Sequence, residues 1–237
     1  MTTTRKIGKI AAVLYFITWV TSIVGLAFYG SILKHSDYLS GSVSNSHLLI
    51  GAFLEIILAV ANVGTAIAIY PIVRRASESL AIGYVALRTL EGAVIAVGVL
   101  PIIALVTLRN DLTDLSSSNA LGRALVSLHN GSFLVGPSFM CAANTLVLAS
   151  LLYKSGLVAR FIPILGLIGG SLLAVSGTLQ LFGVGLQSTP AIALLSVPVF
   201  AWEISFATHI FRKGFNTSAL AKLDAAKVSR EVSLVTA

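Results

Sequence analysis

Polar positions along this chain are islands inside long apolar runs. The runs follow neither the alternation of a half-buried strand nor the single stripe of a surface helix. Six can be drawn, roughly Ile10–Leu33, Leu48–Tyr70, Leu80–Val106, Leu121–Tyr153, Phe161–Leu186 and Ala191–Phe211. A hydrocarbon core of about 30 Å needs about 20 apolar residues in α-helical form, so each run is long enough to cross. The pattern predicts an all-α, polytopic six-transmembrane-helix bundle over residues 1–213, with a short, loose polar tail over 214–237. Pro71 and Pro163 punctuate span ends, whereas Pro101, Pro137 and Pro198 fall inside spans and are expected to kink them. The fourth run is too long for one straight crossing, and Gly136-Pro137 offers it a bend.

Composition agrees with this reading. Of 237 residues, 56% are hydrophobic and only 11% charged, with a mean hydropathy of +0.93, which leaves too little polar surface for a soluble domain. A net charge of +7 would raise the question of nucleic acid in a soluble protein. Here the basic residues lie in short connections and at the ends, without aromatic interleaving, so no nucleic-acid partner is expected. Arg5, Lys6 and Lys9 precede the first span, Arg74 and Arg75 lie in the second connection, and Lys154 and Arg160 flank the fourth. Arg212, Lys213, Lys222, Lys227 and Arg230 follow the sixth span, while the other connections hold only Lys34, Arg109 and Arg123. The positive-inside rule then puts both termini in the cytoplasm. The first span reads as an uncleaved signal anchor, because no small-x-small cleavage site follows it. The connections around His35–Ser46 and Thr107–Ala120 read as ordinary polar loops.

Chemistry concentrates in four ionisable residues inside the runs: Glu55, Arg88, Glu91 and Glu203. Arg88 and Glu91 are three apart on one helix face and can pair. Glu203 falls at nearly the level of Glu91, with Glu55 somewhat toward the outside. An isolated charge at the bilayer centre costs roughly 2.5–3.5 kcal/mol on insertion scales. Three carboxylates against one guanidinium leave a surplus that needs protons, water or a bound cation. The plainer alternative is that Arg88 bridges Glu91 and Glu203 to fix helix packing, with Glu55 a neutral acid bonded to a carbonyl. Glu91 and Glu203 would also correspond in an inverted three-plus-three repeat, but their flanking residues are unlike.

His129 and Asn130, in the fourth run, are secondary candidates. A lone histidine there is more readily a hydrogen-bonded packing residue than a ligand, and no set of residues converges for a metal, so neither metal nor cofactor is expected. Ser176 and His209 superficially match an intramembrane serine hydrolase. Their depths differ by roughly 20 Å at 1.5 Å per residue, which prevents proton transfer. Cys141, the only cysteine, reads as a small buried hydrophobe. Gly166, Gly169, Gly170 and Gly177 in the fifth run let helices approach closely, and Ser176 and Gln180 are expected to add interhelical hydrogen bonds.

Several segments carry a resemblance. They are Arg5-Lys-Ile-Gly, Tyr70-Pro-Ile-Val-Arg-Arg continuing through Ala81-Ile-Gly-Tyr-Val-Ala-Leu-Arg-Thr-Leu-Glu91, Leu151-Leu-Tyr-Lys-Ser-Gly with Arg160-Phe-Ile-Pro-Ile-Leu-Gly, and Pro198-Val-Phe-Ala-Trp-Glu203 followed by Lys213-Gly-Phe. Together they resemble the bacterial integral-membrane family catalogued as domain of unknown function 4386, from the first span to Phe215. The resemblance implies a six-span bundle, a bacterial cytoplasmic membrane and a place for Arg88, Glu91 and Glu203 in the family pattern. It supplies no catalytic residues. The expectation is an integral membrane protein with an intramembrane Arg–Glu network and the bilayer as partner. A small proton- or cation-coupled transporter is the first alternative, and a membrane-embedded enzyme acting on a lipid is the second. A small-molecule, lipid or ion ligand is compatible with either alternative, and the oligomeric state is left open.

Overall fold

The computed structural model of the chain describes residues 3–30, 32–33, 43–110, 115–184 and 190–235, without the side chains of 115–118, 190–193 and 230–235. Lys34, His35, most of the first expected loop, part of the Thr107–Ala120 loop, Leu186 and the Arg230 side chain lie outside the described residues. Regular structure among the described residues is helical: α1 (Thr3–Tyr29), α2 (Asn45–Val73), α3 (Glu78–Asn110), α4 (Leu115–Phe133), a π-helical segment (Leu134–Met140), α5 (Cys141–Ser155), α6 (Phe161–Leu181), α7 (Pro190–Arg212) and α8 (Thr217–Val235). Six stretches are long and apolar enough to cross a membrane, namely α1, α2, α3, the run from α4 through α5, α6 and α7.

Neighbours in sequence are neighbours in space. Helix α1 packs on α2, α2 on α3, α3 on the broken fourth span, α5 on α6 and α6 on α7, and α7 returns to α1. The spans therefore close into a ring. Large apolar side chains point outward on every member, among them Val20, Val60, Val97, Leu128, Val175 and Val197. Such a surface has no place in water but matches lipid tails. Inside the ring, one apolar cluster holds Tyr15, Ile69, Tyr84, Leu152, Trp202 and Phe206. A second holds Tyr29, Leu48, Val99, Ile102 and Leu105.

Helix ends differ from the expected ones for local reasons. The first helix starts at Thr3 because its basic turn continues the helix outward. It stops at Tyr29 rather than Leu33, where Gly30 takes φ +56, a left-handed conformation open to glycine. The expected bend at Gly136-Pro137 is a π-helical segment. Proline has no N–H to donate, and the Cys141 N–H reaches five residues back to the Gly136 carbonyl. Gly136 is buried, and a Cβ there would stand 3.4 Å from the Glu91 carbonyl oxygen. The segment thus brings the fourth span against α3 at the level of Glu91.

The region expected to be a loose tail is mostly the helix α8. Asn216 caps it, its Oδ1 accepting from the backbone N–H groups of Ser218 and Ala219. Phe215 and Leu220 are buried in the first cluster, and Arg75 pairs with Asp224 at 2.9 Å. The Asn216 N–H also donates to the Leu157 carbonyl. The basic connections around Arg75, Gly156 and Lys213 consequently share one end of the bundle.

Candidate functional site

Arg88 and Glu91 lie ten and thirteen residues into α3, and Glu203 nine residues from the end of α7. At 1.5 Å per residue this is about 14–20 Å inside the bundle. The Arg88 guanidinium donates through one terminal nitrogen to Glu91 Oε2 at 2.9 Å. Its other terminal nitrogen stands 3.6 Å from Glu203 Oε1, and Nε donates to Thr65 Oγ1 at 3.3 Å. The Tyr15 ring lies 5.5 Å from the guanidinium carbon, close enough for a cation–π contact. Tyr15 and Tyr84 join hydroxyls at 3.2 Å beside it. Arg88 is 3% exposed.

The two carboxylates differ in how well they are served. Glu91 accepts from Arg88, from Asn62 Nδ2 at 3.2 Å and from Asn144 Nδ2 at 2.7 Å. Three donors from three spans hold it. Glycine makes that convergence possible: a Cβ on Gly92 would sit 2.8 Å from the Ala59 carbonyl oxygen, so α2 comes close enough for Asn62 to reach. Glu203 has the 3.6 Å ion pair and is 14% exposed. With both acids ionised and one guanidinium present, the group carries one net negative charge.

Glu203 and Glu91 border a partly open cavity of about 220 Å³. All six spans line it. Thr18, Trp19 and Ser22 come from α1, Asn62 from α2, Arg88 and Ile95 from α3, Ser138 and Cys141 from the fourth span, Leu173 from α6, and Ser196 and Phe200 from α7. Trp19 and Phe200 meet edge to face at 5.8 Å and cover it along the seam of α1 and α7. Trp19 Nε1 is buried yet makes no hydrogen bond of ordinary geometry among the described residues. Its nearest acceptor is the Glu203 carboxylate, which it stabilises from outside ordinary hydrogen-bond geometry.

Glu55 stands apart from this group. It lies seven residues before Asn62 on α2, about 10 Å along the axis. Its Oε2 accepts from the Tyr29 hydroxyl at 2.7 Å, and His129 Nε2 is 3.7 Å from Oε1. His129 Nδ1 is 2.9 Å from the Gly98 carbonyl oxygen, and its ring stacks obliquely on Phe133 with centroids 4.7 Å apart. The histidine that reads as solitary in sequence therefore has a carboxyl partner. Asn130 is not in either group and donates to the Leu33 carbonyl at 3.4 Å.

Asn62, Thr65, Asn144, Tyr15 and Tyr84 belong to the central group and were not singled out by the sequence reading. The two asparagines carried a usable signal, being amides deep inside apolar runs. Ser176 and Gln180 bond to each other within α6 at 3.2 Å instead of reaching across helices. The α6 glycines pack inside the bundle: a Cβ on Gly169 would meet the Val199 backbone nitrogen at 2.6 Å, and one on Gly170 the Leu146 side chain at 2.9 Å.

Six apolar helices closed around a buried polar centre define a polytopic integral membrane protein. The chain belongs to the family described as domain of unknown function (DUF4386), whose model matches residues 10–214 and so takes in all six spans. No curated protein and no solved structure matches it.

Proposed function

We propose that the protein is a small proton- or cation-coupled membrane carrier whose binding site is the central cavity, with Glu203 as the acceptor. One observation carries this: two acids share one guanidinium, and the one less well served faces open volume. Glu91, with three donors, works as a fixed clamp that holds Arg88 and joins α2, α3 and α5. Glu203 is left with charge to spare, its one other donor being the Trp19 indole N–H, which faces it without reaching ordinary hydrogen-bond geometry. A proton or a small cation at Glu203 neutralises the group. Intramembrane carboxylates are costly wherever they occur and mark ion pathways in many bundles.

The gathering of the basic connections at one end supports both termini facing the cytoplasm, and the family resemblance supports a bacterial cytoplasmic membrane. The six-span domain runs over residues 1–213, and α8 is a cytoplasmic appendage to it.

The test is thermal unfolding of purified protein in nanodiscs, across pH and in matched series of sodium, potassium and primary alkylammonium salts. A ligand at a hundred times its Kd stabilises by about 2.7 kcal/mol. The wild type is expected to respond to one of the cations, or to show a pH response that persists in a Glu55→Gln background, and Glu203→Gln to lose that response while remaining folded. A cation response unchanged by Glu203→Gln, a pH response in the Glu55→Gln background unchanged by it, or no response in the wild type rejects the reading.

A further inference from the structure

The second polar group, at Glu55, has a different chemistry. A carbonyl oxygen can only accept, so the 2.9 Å contact to Gly98 puts a hydrogen on His129 Nδ1. Nε2 is then the atom whose protonation is open, and it faces Glu55 Oε1 at 3.7 Å. Tyr29 donates to the other carboxyl oxygen and cannot neutralise it. Glu55 and His129 are 3% and 1% exposed, and Tyr29 is fully buried.

Counting protons leaves one balanced arrangement. A single proton on Nε2 gives an imidazolium beside a carboxylate, and the same proton on Oε1 gives a neutral imidazole beside a neutral acid. Both are neutral overall. With no proton the pair is a buried anion, and with two it is a buried cation. Either carries the cost of an unbalanced charge buried at depth. The central site differs in that Arg88 is a permanent cation, so there the exchangeable proton cannot pass between a base and an acid as it can here.

We propose that Glu55 and His129 form a second ligand site of the bundle, whose ligand is one proton shared between them. The proton clamps α4 to α2. Helix α1 contributes Tyr29, the other titratable group packed against the pair, while α3 contributes the Gly98 carbonyl and α4 the Phe133 ring. A distance of 3.7 Å suits an ion pair but is longer than a hydrogen bond, so the proton crosses only when the groups approach by about half an ångström or more. The means of approach lies next to the site: the π-helical segment begins five residues after His129, and such segments are where helices change direction. This inference is independent of whether Glu203 takes a cation.

The test is a proton count by NMR on the full chain in nanodiscs, with carboxyl-labelled glutamate and ring-labelled histidine. Glu55→Gln and His129→Gln spectra assign the two signals. In the wild type near neutral pH, the pair is expected to hold one proton beyond the Nδ1 hydrogen. His129→Gln is expected to change the proton affinity of Glu55 by at least about tenfold, the mark of coupled titration. A count of zero or two overturns the proposal, as does a bare Nδ1. So does an affinity at Glu55 that His129→Gln leaves unchanged. The wild-type count decides the matter even where a variant does not fold.

Discussion

The bundle holds two buried polar groups about two helical turns apart, and they meet the same difficulty in different ways. Around Arg88 the charges are answered by a fixed cation and fixed amides: Glu91 has Arg88, Asn62 and Asn144 within hydrogen-bonding range. Around Glu55, among the described residues, stand a phenol, an imidazole and a carbonyl in place of a permanent cation. The first group keeps a fixed cation at its centre and has volume beside it. The second is compact and tunes its charge by exchanging a proton. A membrane interior can therefore tolerate an acid through architecture or through titration, and this protein uses both.

The contrast leads to a graded set of expectations. Arg88→Ala strands two carboxylates and should be the most damaging change, because removing one partner of a buried pair costs about 3–5 kcal/mol. Thermal unfolding in nanodiscs should show it, with partial recovery in the Arg88→Ala, Glu91→Gln double variant. Lack of any recovery would show that the arginine acts by packing alone. Glu91→Gln by itself should follow, at about 1.5–3 kcal/mol for hydrogen bonds to a charged group. Tyr29→Phe removes one donor from the second group and should cost about 1 kcal/mol. Glu203→Gln should have the smallest effect on stability, below about 1 kcal/mol, since its ion pair is long and partly exposed. If Glu203→Gln proves more harmful than Glu91→Gln, the roles assigned to the two acids are reversed. Double-mutant cycles between Arg88 and His129 measure how far the groups are separate, and independent sites should add within about 0.3–0.5 kcal/mol.

The spans were legible because hydropathy over twenty residues is a strong signal that survives errors of several residues at each end. The Arg88–Glu91 pair was legible too, since i and i+3 share a face on any α-helix. Its bridge to Glu203 followed from counting depth, with both residues at similar heights on different spans. What was not legible depends on how each helix is rotated about its own axis. Counting depth set Glu55 toward the far side but could not show that α1 and α4 turn Tyr29 and His129 toward it. The charge surplus was accordingly summed over three acids, whereas the structure divides them into two and one. Asn62 and Asn144 were overlooked because an amide barely lowers the hydropathy of an apolar run. Helix α8 was masked by its polar composition, although Asn216 and the spacing of Leu220 and Leu223 fit a capped helix with one apolar side.

The absent side chain at Gly169 has a mechanical consequence. With backbone against backbone there, α6 and α7 have no layer of side chains between them to slide on, and they travel as one slab. The seam joining α7 to α1 is of another kind, zipped by edgewise rings such as Trp19–Phe200, Phe16–Phe211 and Tyr15–Phe206. Rings can roll past one another where main chains cannot, so the bundle has a welded flank and a hinged one, and any doorway to the interior belongs on the hinged side.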